Sequence, residues 1–284
     1  MSNDDLMPVI AVRLAEGRSG STLLMQLLAT SPQIVFDDRY PSEYRFLSYF
    51  ARMASMMTEP FDAERHVGVT PFFFNADQSW GPVPFRSDVV DPPNLAVPLL
   101  RQMWMAWSEE ARQRHPSMDH YAEKVAVDIR SIIEASIPLR VIDLVRDPRD
   151  VLASIRSFTA AGVDGFGRSP DIDESKYIDQ FIATFGEGLR RMLEPLPSAV
   201  DRIVVRYEDL IADLHSESRR IAEWLGVELD PATVERSSAN YAHHITAPSP
   251  SASVGRWHSD LTSEEAEAVA AGLRELAAAF GYQL

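Results

Sequence analysis

The sequence predicts an α/β fold, a mainly parallel central sheet flanked by helices, in one domain spanning residues 1–284. Three observations carry this. Short segments rich in Val and Ile at 8–15, 140–146 and 202–206 have strand length and no helical period. Each passes directly into a stretch whose apolar residues recur at helical spacing, the alternation that builds parallel sheets. No internal repeat and no composition break marks a linker.

In chain order, the strand at 8–15 meets a Gly-Ser turn and then the helical run 22–28, which stops near Ser31-Pro32 because proline disfavours helix at the residue before it. Residues 34–36 read as a second short strand. Aromatic and Met residues at helical intervals over 42–57 predict a helix entered at Pro41 and Ser42. Between 58 and 98 prolines and aromatics cluster without a period, which predicts an ordered loop or a substrate-side insertion extending to about residue 120. A helix is expected at 94–115 despite Pro98, and a short strand at 125–127. After the strand at 140–146, Pro148 opens a helix over 149–160 with apolar residues at 151, 152, 155 and 158 on one face. A helix at 175–196, the strand at 202–206 and a helix at 208–225 stopped by Gly226 follow, with a further helix from Asp230. Thr262 and Glu265 have capping-box spacing for a last helix to Phe280.

Composition narrows the function classes. The 42 acidic residues outnumber the 27 basic ones, giving a formal charge of -15, which works against nucleic-acid binding by counterion release. The absence of cysteine excludes disulfides, thiolate metal sites and a cysteine nucleophile. His243-His244 suits no common zinc site, so no metal is expected. Residues 1–6 are polar and acidic, unlike a secretory signal. The apolar stretches are broken by Arg13, Asp143 or Arg146 and fall short of the roughly 20 residues of a membrane-spanning helix. A soluble, cytoplasmic protein is expected.

The chemistry begins at Glu16-Gly17-Arg18-Ser19-Gly20-Ser21-Thr22. A strand feeding this turn into a helix offers backbone N–H groups and a helix dipole to an anion, and the glycines allow close approach. The nucleotidase pattern GxxxxGK[ST] fails at two positions, since its first glycine falls on Ala15 and its lysine on Ser21. Arg18 instead puts a cation inside the turn, able to stabilise charge on a departing group. A second anion motif lies in Leu144-Val145-Arg146-Asp147-Pro148-Arg149-Asp150-Val151-Leu152-Ala153-Ser154. Arg146 at a strand end supplies a fork of donors, and Ser154, two turns into the next helix, a hydroxyl. The pair suits a phosphate monoester remote from the first loop.

With these two motifs the sequence resembles the sulfotransferases that use 3'-phosphoadenosine 5'-phosphosulfate (PAPS). The resemblance implies that Arg146 and Ser154 hold the 3'-phosphate and that Gly17, Arg18, Ser19, Gly20, Ser21 and Thr22 form the 5'-phosphosulfate loop in its arginine-bearing variant. Tyr207-Glu208-Asp209-Leu210 and Gly255-Arg256-Trp257 look like later landmarks of the family, so it extends from about residue 8 to the C-terminus. Some members carry Arg-Lys-Gly ahead of Gly-Asp-Trp. Here Pro250-Ser251-Ala252-Ser253 stands instead, with Ser251 or Ser253 replacing those contacts. The implied fold is a P-loop nucleotide-binding domain, and the implied reaction sulfuryl transfer from PAPS to a hydroxyl, leaving adenosine 3',5'-bisphosphate. Such a transfer rests on positioning and charge stabilisation and requires no metal.

A base for the acceptor hydroxyl is still needed. In relatives of the arginine-loop type it is a glutamate soon after the first helix, which Glu43 matches; Asp37 and Asp38 are rivals, and His66, His115 and His120 are ranked below. Glu123-Lys124 resembles a Glu-Lys or Asn-Lys pair whose lysine approaches the transferring group, although Val125-Ala126 departs from the usual continuation. The aromatic and Met-rich stretch from Tyr40 to Trp107 suggests an apolar wall for a small-molecule, lipid or glycan acceptor. The rival readings are a kinase-like nucleotide enzyme and a non-catalytic nucleotide-binding protein.

Overall fold

The strand that leads into the phosphate loop is also the middle of the sheet. β1 (Val9–Leu14) is buried over its first four residues, as a strand covered on both faces must be. In the computed structural model, which describes residues 6–35, 45–55, 91–125, 128–160, 174–237, 247 and 249–284, it is joined by β2 (Ile34–Val35), β3 (His120–Lys124), β4 (Leu139–Val145) and β5 (Asp201–Arg206). All the pairings are parallel, in the order β2-β3-β1-β4-β5. The chain leaves β1 toward one edge and β4 toward the other. Their loops therefore diverge at the carboxyl ends of two neighbouring strands, which is where open α/β sheets bind ligands.

Helices close both faces. α1 (Ser21–Leu28) follows the phosphate loop, and α2 (Phe46–Ser55), α3 (Pro92–Arg114) and α4 (Arg130–Glu134) come before β4. After β4 come α5 (Pro148–Ala160) and α6 (Glu174–Leu193). Beyond β5 the chain forms α7 (Tyr207–Ala212), α8 (Leu214–Leu225) and α9 (Pro231–Ser237), then a 3-10 turn (Ser251–Ser253), α10 (Trp257–Asp260) and α11 (Ser263–Ala278). The strand period of two divides β1 between the two faces. Val9 and Ala11 pack with Leu47, Leu100 and Trp104 of α2 and α3, whereas Ile10 and Val12 pack with Leu24, Leu28 and Ile221 of α1 and α8. A third cluster joins Val151 and Ile155 of α5 to Phe181 and Phe185 of α6 and Leu273 of α11.

The expected α/β sheet with flanking helices is present, with local differences. The third strand lies at His120–Lys124, ahead of the expected 125–127, of which residues 126–127 lie outside the described residues. Its buried end carries Glu123 and Lys124, whose polarity hides a strand from a hydropathy reading. The helix expected over 208–225 breaks at Asp213, whose side chain accepts from Ser216 N–H at 2.9 Å and starts α8. α3 begins at Pro92, where missing N–H groups cost nothing. Its Leu100 and Trp104 are fully buried and pack into the core. The Thr262–Glu265 capping box is formed. Among the described residues no helix is long and apolar enough to cross a membrane.

Candidate functional site

Between β1 and α1 the backbone is bent into an anion-binding shape. Arg18 (φ 67°) and Gly20 (φ 91°) are both left-handed, and alternation of this kind turns successive N–H groups inward at the start of α1. Inside the turn, Ser19 Oγ donates to the Glu16 carbonyl at 2.7 Å. Two close approaches fix the loop from outside. A Cβ on Gly188 of α6 would sit 2.2 Å from the Ala15 carbonyl oxygen, and a Cβ on Gly20 would sit 2.1 Å from Cδ2 of Tyr207. Gly188 thus leaves room for the backbone at Ala15, and Gly20 for the Tyr207 ring.

The Arg18 guanidinium lies over the Phe158 ring, 4.3 Å from its centroid, and Nε donates to Ser154 Oγ at 3.3 Å. Arg146, only 5% exposed, donates through Nη1 to the Arg18 carbonyl at 2.9 Å and through Nη2 to the Ser253 carbonyl at 2.5 Å. Its guanidinium stacks over Tyr207 at 4.4 Å, and its Nε is buried with no hydrogen-bond partner among the described residues. The second motif is therefore not remote from the first loop. β1 and β4 are neighbours, so Ser154 and Arg146 both touch Arg18 and form one continuous surface with it.

The C-terminal turn completes that surface. Tyr207 Oη and Ser253 Oγ share a hydrogen bond of 2.8 Å. Ser251 is exposed and bonds instead to Ser249, so the two serines are not equivalent. Gly255, at φ 71°, and Trp257 donate their N–H groups to the Asp150 carboxylate at 2.8 and 3.0 Å. Burial pushes the Asp150 carboxyl up, against the pull of these two N–H groups and of Arg146. Arg256 donates to Ser157 Oγ at 2.7 Å and pairs with Asp260. Glu208 accepts from the Asp147 N–H at 2.9 Å and from the Tyr282 hydroxyl at 2.6 Å, which anchors the residue after Arg146. Burial pushes the Glu208 carboxyl up as well.

Lys124 is buried at the carboxyl end of β3, its Cα paired with Val12, five residues before Gly17. His115 caps α3 and His120 opens β3, at the opposite end of the sheet from the loop, so neither joins the site. Asp37, Asp38, Glu43, His66, His243 and His244 lie outside the described residues. Among the described residues no group of three or more His, Cys, Asp or Glu side chains could hold a metal. Sequence reasoning missed Phe158 and the holding roles of Asp150 and Glu208. Phe158 reads as an ordinary core residue, and the partners of the two carboxylates are distant in the chain.

Comparison with known proteins gives the family. Residues 14–231 match the model of a sulfotransferase family. Among solved structures, the chain is similar to the sulfotransferase domain from the curacin biosynthetic pathway, at 17% identity over 98% of this chain and 99% of that one, with a TM-score of 0.49. It is similar to sulfotransferase STF9 from Mycobacterium avium, at 15% identity over 98% and 78% of the two chains, with a TM-score of 0.44. Retinol dehydratase in complex with androsterone and the inactive cofactor PAP shares 15% identity over 97% and 81%, with a TM-score of 0.40. No curated protein matches the sequence. The family match takes in the phosphate loop, Arg146, Ser154 and Tyr207, and the chain belongs to the sulfotransferase family.

Proposed function

We propose that the protein transfers a sulfuryl group from PAPS to a hydroxyl of a small-molecule, lipid or glycan acceptor, releasing adenosine 3',5'-bisphosphate. The observation that carries this reading is the buried Nε of Arg146, a charged donor with no hydrogen-bond partner among the described residues, on a guanidinium that touches the left-handed turn at Arg18, which Ser154 touches as well. An unsatisfied buried donor costs stability, and an anion there would repay it. The donor set fits a nucleotide with phosphates at both ends. N–H groups of Ser19, Gly20, Ser21 and Thr22 suit the 5' end. Arg146 and Ser154 suit the 3'-phosphate, with Tyr207, Ser251, Ser253, Gly255 and Arg256 bordering the nucleotide.

PAPS supplies a sulfuryl group on a phosphate that can leave. Arg18 neutralises the charge that develops on that phosphate, Lys124 is a second cation at the acceptor side, and Glu43 takes the hydroxyl proton. Transfer of labelled sulfate from PAPS across a panel of hydroxyl acceptors tests the reading. Arg18→Ala is expected to lower turnover by at least roughly 10²-fold while part of the bisphosphate affinity remains, because its interaction strengthens as the leaving group departs. Wild-type turnover in Arg18→Ala would refute the role.

A further inference from the structure

Glu123 is fully buried, next to Lys124 in β3 and paired across the sheet with Ala11 of β1. Strand alternation sends Tyr121 and Glu123 to the face covered by α2 and α3, opposite to Ala122. There both carboxylate oxygens are saturated. Oε1 accepts from the Ser48 N–H at 2.9 Å and from the Ser48 hydroxyl. Oε2 accepts from the Leu47 N–H at 2.9 Å and from the Tyr121 hydroxyl at 2.6 Å. The Tyr121 hydroxyl in turn accepts from the Phe46 N–H at 3.2 Å. Three successive N–H groups at the start of α2, which a helix cannot satisfy internally, are thus held by one strand.

A carboxylate beside Lys124 whose burial pushes its pKa up has the outward marks of a general base. The geometry points the other way. Four donors occupy its four lone-pair positions, and it has no exposed surface through which an acceptor hydroxyl could reach it. What the four bonds do is tie two elements together. The strand end carries Lys124, and α2 is the helix that follows residues 37–43 in the chain, where the candidate bases lie.

We propose that Glu123 is a positioning residue which, with Tyr121, clamps the start of α2 to the end of β3 and takes no proton in the reaction. This role rests on the sulfotransferase reading above. The negative charge suits the position, since a helix N-terminus favours an anion. Glutamine would turn an N–H toward donors already there, and aspartate would fall one methylene short.

The test uses the full chain, PAPS and the acceptor that the labelled-sulfate panel returns, comparing Glu123→Gln and Tyr121→Phe with wild type. The expected turnover losses are about 10²-fold and about tenfold, as for small misplacements of reacting groups, with bisphosphate affinity held within about twofold and the pH profile of kcat unmoved. Loss of the acidic limb of that profile in Glu123→Gln would make Glu123 the base and overturn the proposal. So would lowered thermal stability with wild-type kcat, or a parallel loss of bisphosphate affinity. Tyr121→Phe removes one donor and adds none, so it decides the matter if Glu123→Gln does not fold. A wild-type protein that binds the bisphosphate no better than ATP and transfers to no acceptor overturns the sulfotransferase reading, and this role with it.

Discussion

Gly20→Ala adds one methyl group at the point where the phosphate loop, Tyr207 and the C-terminal turn meet. The new Cβ would lie 2.1 Å from Tyr207 Cδ2 and 2.5 Å from Cε2, so the ring must move. The residue would also keep a φ of 91°, which costs an L-residue about 1–2 kcal/mol. A displaced ring loses the hydrogen bond between Tyr207 Oη and Ser253 Oγ, about 1 kcal/mol. It also loses its stacking against Arg146, about 1 kcal/mol more. The sum is about 3–4 kcal/mol, which in a chain of this size lowers Tm by about 5–7 °C. Because Arg146 shares the disturbed contacts, bisphosphate affinity should fall with stability. Calorimetry gives Tm, and titration with adenosine 3',5'-bisphosphate gives affinity. An unchanged Tm with unchanged affinity would refute the packing argument for this loop.

Gly188→Ala tests the loop from the other side. Its Cβ would lie 2.2 Å from the Ala15 carbonyl, so α6 or the loop must shift, at a cost of about 1–3 kcal/mol. Lowered Tm together with weakened bisphosphate binding is expected. A third prediction concerns acid stability. The hydrogen bonds from Arg156 hold the Glu265 carboxyl at about 2, below its ordinary 4.5, across the contact between α5 and α11. A lowered folded-state pKa contributes stability that is present above pH 4.5 and lost as pH falls toward 2. Tm measured against pH should therefore fall more steeply in wild type than in Glu265→Gln over that window, and parallel curves would contradict the pairing.

The parts of the site legible in the sequence were those that one segment carries whole. Glycines and Arg18 between a strand and a helix, and an arginine eight positions before a serine, identify themselves by spacing. Asp150 accepts from residues 105 and 107 positions away, so nothing in its own neighbourhood announces that it holds the C-terminal turn. Glu123 is legible only as half of a Glu-Lys pair, since its bonding partners Ser48 and Leu47 belong to α2, 75 and 76 positions away. The fold shows the same division. β1 and β4 are mostly apolar, with Asp143 the one buried charge in β4, and reveal themselves, whereas β3 ends in the adjacent buried charges of Glu123 and Lys124 and is hidden from a hydropathy reading. α4, five residues long, is too short for a helical period to be read. Arg146 and Ser154 were legible as a pair, but their contact with Arg18 follows from the β1–β4 pairing, which is a long-range fact.

That contact makes the 3'-phosphate the most direct probe of the account. Titration calorimetry with adenosine 3',5'-bisphosphate and with adenosine 5'-monophosphate, on wild type and Arg146→Ala, isolates the phosphate assigned to the buried guanidinium. A hydrogen bond to a charged group is worth about 1.5–3 kcal/mol, so wild type is expected to prefer the bisphosphate by about 10- to 150-fold and Arg146→Ala to lose most of this preference. Equal affinity of the wild-type protein for the two nucleotides would contradict it.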